Sequence, residues 1–219
     1  MDNWKGEYEV ALLGCHGVGK TTICRELSKQ FSIYYNDFKN ENPFNESALK
    51  IMLFHLVSYK KRNESIRILN NEGQSCITDR CSFIDVTLYV KALRDIDIID
   101  ENEYKLYFDI LKLIGTDWLM PKNIIVLTAN TNEILERISE RGGPKQGHQR
   151  GDDLQIIEAT NKIFSLFGAL QLPSDFWPDA LRSLFRHSRI SLIDTSGQTP
   201  KRILEEIVKI IESNEKRIL

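Results

Sequence analysis

An α/β fold, a five-stranded parallel sheet flanked by helices, is predicted by three observations. Short apolar runs alternate with helix-length amphipathic stretches along the chain, the order that gives a parallel sheet with right-handed crossovers. Asn123-Ile124-Ile125-Val126-Leu127-Thr128 is apolar throughout its interior, as a central parallel strand covered on both faces must be. Gly14-Cys15-His16-Gly17-Val18-Gly19-Lys20-Thr21-Thr22 stands between an apolar strand-length run and a helix-spaced one, the context in which the pattern G-x-x-x-x-G-K-[ST] binds phosphate.

Length and composition set the bounds. The 219 residues, 42% hydrophobic and 27% charged, suit one domain with a sizeable core. With 29 basic and 31 acidic residues the formal net charge is −2, so no overall nucleic-acid footprint is present. Cys15, Cys24, Cys76 and Cys81 lack metal-ligand spacing and read as free thiols of a reducing compartment. Met1-Asp2-Asn3-Trp4-Lys5 has no signal-peptide apolar core, and no apolar run approaches the roughly 18 residues of a membrane span. A cytoplasmic protein with no membrane partner is expected.

The elements follow in order. Tyr8, Val10, Ala11, Leu12 and Leu13 form the first strand, and Ile23, Leu27 and Phe31 mark the helix after the glycine loop. Ser32-Ile33-Tyr34-Tyr35 is a β-prone second strand ending at Asn36-Asp37, and Asn40-Glu41-Asn42-Pro43 is a loop. Asn45 is placed to cap a helix over residues 46–69. That helix is apolar nearly all round between Ala48 and Val57, so it should be buried on two sides, one against the sheet and one against another helix or a second copy. Lys60-Lys61-Arg62 reads as a basic turn with two of its three cations solvated. A short buried strand at 75–79, a helix at 82–93, a loop at 95–100 and a helix over Glu101–Ile114 precede the central strand. Residues 132–141 are helical, 142–153 form a glycine-rich charged loop, and 152–167 form an amphipathic helix. Residues 171–188, with Pro173, Trp177 and Pro178, read as a local insertion. Arg189–Asp194 is the last strand, and Thr199 caps a helix over 200–213.

Ligands of parallel sheets lie beyond the carboxyl ends of the strands, where the phosphate loop, Asn36-Asp37 and Asp79-Arg80 meet. Backbone N–H groups of Gly14, His16, Gly17, Val18 and Gly19 would cradle phosphates at a helix N-terminus, with Lys20, Thr21 and Thr22 opening that helix. Lys20, an exposed and flexible loop lysine, would reach the terminal phosphates, and the Thr21 hydroxyl would hold Mg²⁺ with help from Asp79. Arg80 supplies a cation. Arg137 and Arg141, four apart before Gly142-Gly143-Pro144, read either as a lid closing over a triphosphate or as a solvated helix face.

The chain resembles the deoxyribonucleoside kinase family within the nucleoside and thymidylate kinase group, over nearly its full length. Asp79-Arg80-Cys81-Ser82-Phe83-Ile84-Asp85 resembles that family's D/E-R-S-x-x-x-D stretch, and Leu135-Glu136-Arg137-Ile138-Ser139-Glu140-Arg141-Gly142 resembles its lid, placed here at about 141–153. The resemblance implies that Arg80 contacts phosphate and that Asp85 faces the substrate base. Asp37, shortly before Asn42-Pro43, stands where the family carries its catalytic glutamate. His55 and Arg62, seven apart, fall where a Gln and an Arg hold the base, although His55 also fits a buried helix histidine with one hydrogen bond.

The departures are Asp for Glu at 37, His for Gln at 55 and Cys for Ser at 81, with Gly143 and Gln146 where a third Arg and a Glu are usual. The resemblance implies an ATP- and Mg²⁺-dependent kinase acting on the 5′-hydroxyl of a small-molecule nucleoside, and a homodimer. Its alternatives are a thymidylate-kinase-like monophosphate kinase and a regulatory P-loop ATPase. The absence of Arg between Tyr34 and Asn45 tells against the first, and the lack of an acid ending the Asn123–Thr128 strand against the second.

Overall fold

Tyr8–Leu13 forms strand β1, buried along its whole length, and the chain is threaded around it. The computed structural model describes residues 8–31, 34–36, 47–143, 153–173 and 176–215. After β1 come helix α1 (Lys20–Phe31), strand β2 (Tyr34–Asn36), helix α2 (Ala48–Asn71), strand β3 (Cys76–Asp79), and helices α3 (Ser82–Asp95) and α4 (Glu101–Ile114). Strand β4 (Asn123–Thr128), helices α5 (Thr131–Glu140), α6 (Leu154–Gly168) and α7 (Asp179–Leu184), strand β5 (Arg189–Asp194) and helix α8 (Pro200–Glu215) complete it.

All strand pairs are parallel, in the order β2-β3-β1-β4-β5. β1 and β4, fully buried, lie side by side at the centre, Leu12 opposite Ile125 and Leu13 opposite Val126. Three-residue β2 extends the sheet at one edge. This order brings the carboxyl ends of β1 and β3 together, with Leu12 opposite Asp79, so the phosphate loop and the Asp79-Arg80 turn share one crevice.

Helix burial departs from the expectation in one instructive way. The helix buried nearly all round is α3, eleven of whose fourteen residues are buried, because it lies between α2 and α6. That arrangement keeps α2 on the outside: it buries Leu49, Leu56, Tyr59 and Ile66 while Val57 is 48% and Ile68 60% exposed. Two-sided burial of α2 within the chain is therefore corrected. Its cap is Ser47, whose Oγ accepts from the Lys50 N–H at 3.4 Å; Asn45 lies outside the described residues. Lys60, Lys61 and Arg62 sit within the helix, not in a turn, and of the three Lys61 alone is exposed. The Lys60 ammonium lies over the Trp118 ring, 4.9 Å from its centroid, where its stem gains apolar cover.

The stretch after α6 is an aromatic knot. Buried Trp177 meets Phe176 at 4.7 Å, Phe185 at 5.3 Å, Phe83 at 5.9 Å and Phe167 at 6.2 Å between ring centroids, fastening this segment to α3 and α6. α4 opens with a capping box between Asp100 and Glu103, and the Thr199 hydroxyl accepts from the Arg202 N–H at the start of α8.

Candidate active site

The phosphate loop is built where only glycine fits. Gly14 has φ 139°, and a Cβ there would run into the Leu127 carbonyl oxygen of β4; at Gly17, φ 82°, it would come within 2.8 Å of Ile134 Cγ2 on α5. The loop can thus lie flat between β4 and α5 and present backbone to a ligand. α1 begins at Lys20, with the Ile23 N–H on the Gly19 carbonyl at 3.1 Å, so its positive dipole end faces the loop. Thr22 is exposed on α1, and Val18 and Cys15 are buried beneath the loop. Burial pushes the Cys15 thiol up to about 11, which keeps it protonated and unreactive.

Lys20 is not the exposed lysine expected. It is 6% exposed, with Nζ donating to the Gly14 carbonyl at 2.9 Å and the Cys15 carbonyl at 2.7 Å. Loop carbonyls that would otherwise be buried without donors draw the ammonium inward. Burial, with the Arg80 cation adding to it, pushes Lys20 down to about 8.

Asp79, the last residue of β3, reaches across to α1, its Oδ2 accepting from the Thr21 hydroxyl at 2.5 Å. Among the described residues no group of three or more His, Cys, Asp or Glu could hold a metal. A hydroxyl and a carboxylate at the mouth of a phosphate loop nevertheless fit Mg²⁺, which takes few protein oxygens and completes its shell with water and phosphate.

The next residue carries the most organised group in the crevice. Arg80 adopts φ 75°, a left-handed conformation that costs a non-glycine residue about 1–3 kcal/mol. Its N–H donates to the Leu12 carbonyl at 2.8 Å, and its carbonyl accepts from the Thr78 hydroxyl at 2.9 Å and from Arg62 Nη2 at 2.6 Å. Outward, Nη1 pairs with Asp85 Oδ2 at 2.8 Å. Nη2 faces His16 Nδ1 of the phosphate loop at 3.4 Å, and the guanidinium lies over the Tyr89 ring. Burial alone would lower the Arg80 pKa; the Asp85 carboxylate reverses this and holds it well above the ordinary value. Asp85 is 2% exposed, and its second oxygen, Oδ1, takes no hydrogen bond among the described residues.

His55 and Arg62 lie two turns apart on α2. Burial, reinforced by the Arg80 cation, pushes His55 down to about 4, so it is neutral near pH 7, between the rings of Phe54 and Tyr59. Arg62 is 3% exposed, stacked on Tyr59 at 4.5 Å. It directs Nη1 to the Asp79 carbonyl at 2.9 Å and Nη2 to the Arg80 carbonyl. Its donors therefore meet protein backbone.

The lid arginines part company. Arg137 is fastened to the turn after β5, donating to the Thr195 hydroxyl at 3.0 Å and carbonyl at 2.9 Å and pairing with Glu133. Arg141 caps α5, exposed, with Nε on the Gly143 carbonyl at 3.2 Å. Asp37 and residues 144–152 of the expected lid, including Gln146, lie outside the described residues.

Lys20, Thr21, His16, Asp79, Arg80 and Asp85 are thus brought together. Sequence reasoning missed Tyr89, Thr78, Glu133 and Thr195. Tyr89 could have been found, being four residues after Asp85 and so on the same helix face, and Glu133, four residues before Arg137, by the same spacing; Thr195, distant in sequence, carries no such signal.

Comparison with known proteins places this geometry. Residues 10–158 match the family model described as AAA domain. Over 209 residues the chain is 22% identical to a Pyrococcus abyssi protein provisionally named adenylate kinase, covering 95% of this chain and 86% of that one. It is 26% identical over 145 residues to the deoxyguanosine kinase of Bacillus subtilis, covering 62% and 67% respectively. The structure of deoxyadenosine kinase from M. mycoides with bound dATP shares the fold, with TM-score 0.73 at 20% identity over 93% of this chain and 99% of that one. Phosphate loop, Asp-Arg turn and parallel sheet fall within or beside a match spanning well over half its length, and the chain belongs to the AAA domain family, on a P-loop fold similar to that of deoxynucleoside kinases.

Proposed function

We propose that this chain is a single-domain kinase that transfers the γ-phosphoryl group of ATP to the 5′-hydroxyl of a nucleoside, a deoxynucleoside first. The observation that carries the acceptor assignment is Asp85 Oδ1, a buried carboxylate oxygen with no hydrogen bond among the described residues. It calls for a donor, which the amino or ring N–H of a nucleobase supplies. A phosphate placed there would meet a carboxylate.

The contacts around the phosphate loop and the end of β3 support the roles of the described residues, and the family resemblance supplies those of Asp37 and the lid. The loop N–H groups hold the donor phosphates, and Lys20 exchanges the Gly14 and Cys15 carbonyls for phosphate oxygens. Arg80, fixed by Asp85, stabilises charge on the transferring group, with Arg141 at the hinge of the lid joining it on closure. Arg137 stays at the base of that lid, tied to Thr195. Asp37 orients or deprotonates the hydroxyl, and His55 borders the base. Thr21 and Asp79 would hold Mg²⁺, which would supply positive charge to offset that of the phosphates.

A monophosphate acceptor is the second reading, supported by the P. abyssi relative. Against it, the two described cations at the end of β3 are both engaged, Arg80 by Asp85 and Arg62 by backbone carbonyls. A panel of nucleosides and nucleoside monophosphates with ATP, read as ADP release, tests the proposal. Nucleosides should be turned over in preference; preference for monophosphates, or ADP release independent of any acceptor, would replace it.

A homodimer is part of the proposal. The outward stripe of α2 carries Val57, Lys61, Glu64 and Ile68. In an antiparallel pairing about a two-fold axis, Val57 of one copy would face Ile68 of the other and Lys61 would face Glu64, a self-complementary surface. Sedimentation should give twice the 25.4 kDa chain mass. Lys61→Glu should weaken the dimer, and adding Glu64→Lys should restore it; a monomer at micromolar concentration would count against the pairing. No helix among the described residues is long and apolar enough to cross a membrane, and four buried thiols support the cytoplasm as the compartment.

A further inference from the structure

Residues 79–82 form a turn strained at two points, Arg80 at φ 75° and Ser82 at φ 38°, neither of them glycine. Asp79 and Arg80 send their side chains one way and their carbonyls the other. Asp79 goes to Thr21 of α1, and Arg80 to Asp85 and toward His16 of the phosphate loop. The carbonyls of Asp79 and Arg80 point back to α2, where one buried guanidinium takes both, at 2.9 Å and 2.6 Å. A planar fork with parallel N–H bonds suits two successive carbonyls as a single ammonium cannot. Tyr59, one turn earlier on the same face, is stacked on that guanidinium.

We infer that Arg62 is a positioning residue for phosphoryl transfer: its bidentate grip on the Asp79 and Arg80 carbonyls holds the left-handed turn that aims Arg80 and Asp79 at the phosphate loop. The inference departs from what family resemblance implies, a base-reading arginine, and its catalytic arm rests on the kinase reading above. It also links the two substrates, because α2 carries His55 on the acceptor side and Arg62 behind the cation that meets the donor. A change in where α2 sits is passed to Arg80 through two hydrogen bonds.

The test uses Arg62→Met, which removes both donors at similar length, and Arg62→Lys, which keeps the charge and reaches one carbonyl. Steady-state kinetics with ATP and the preferred acceptor should show kcat reduced about 10–100-fold in Arg62→Met, the scale of a small misplacement of a catalytic group. Both KM values should stay within about threefold, and Arg62→Lys should recover part of kcat. Hydrogen exchange, measured on the same proteins without substrate, should be faster in Arg62→Met for the peptide covering 79–82, whose Arg80 N–H is bonded to Leu12, and unchanged for the peptide covering β4. Should Arg62→Met not fold, Arg62→Lys carries the same comparison.

An acceptor KM raised tenfold or more with kcat nearly intact would make Arg62 a base reader and overturn the inference, as would unchanged exchange at 79–82. A wild-type protein inactive toward nucleosides and monophosphates alike would sink the kinase reading instead, while the exchange result would still decide whether Arg62 holds the turn.

Discussion

Lys20→Met should lower turnover at least about 100-fold, the scale for losing one preorganised donor or cation in a transition state, while the protein remains folded. The fold should survive because Lys20 bonds carbonyls of its own loop, those of Gly14 and Cys15, and its side chain is not part of the apolar core. A variant keeping a tenth of wild-type kcat would remove Lys20 from the reaction. The same substitution has a proton signature. Lys20 titrates at about 8 here against an ordinary 10.5. In that window the unfolded chain binds the extra proton, so this group's contribution to stability rises with pH between the two values. A polyphosphate beside Nζ favours the ammonium. Titration calorimetry in buffers of different ionisation enthalpy at about pH 9 should therefore show proton uptake on ATP binding in wild type that is reduced in Lys20→Met.

Arg80→Met should act on both catalysis and folding. Turnover should fall by about 10²–10³, because the cation fixed beside the phosphate loop is gone. Stability should fall by about 3–5 kcal/mol, since Asp85 is left buried without the guanidinium that neutralises it. The double variant Arg80→Met/Asp85→Asn should recover most of the stability and none of the turnover, as expected of two residues whose effects do not add. Chemical denaturation of the three proteins beside their kinetics separates the effects. An Arg80→Met protein as stable as wild type would mean that the pair at 2.8 Å contributes little.

The sequence made legible what is decided locally. β1, β4 and the glycine loop carry their signals within a few residues, an apolar run ending where backbone must turn tightly, and they fold as that pattern dictates. The Asp79-Arg80 turn was legible as a pair of polar residues at a strand end. What could not be read there is what a side chain meets from elsewhere. Arg62 looks like any helix cation until β3 brings two carbonyls to it, and Lys60 like a solvated one until Trp118 arrives from beyond α4. The apolar run in α2 suggested burial on two sides, yet α3 takes the place between the neighbouring helices and leaves Val57 outside. Residues 171–188 were opaque because Trp177 finds its partners on α3, α6 and the α7 end, a contact set without periodicity.

The central claim, a hydroxyl acceptor beside a phosphate loop, is tested most directly by the ratio of kcat/KM for a nucleoside and its own 5′-monophosphate under identical ATP and Mg²⁺, with the product identified by ³¹P NMR. The account predicts a nucleoside 5′-monophosphate as product and a ratio well above one for the base that Asp85 accepts. A ratio below one with a nucleoside diphosphate as product would contradict it.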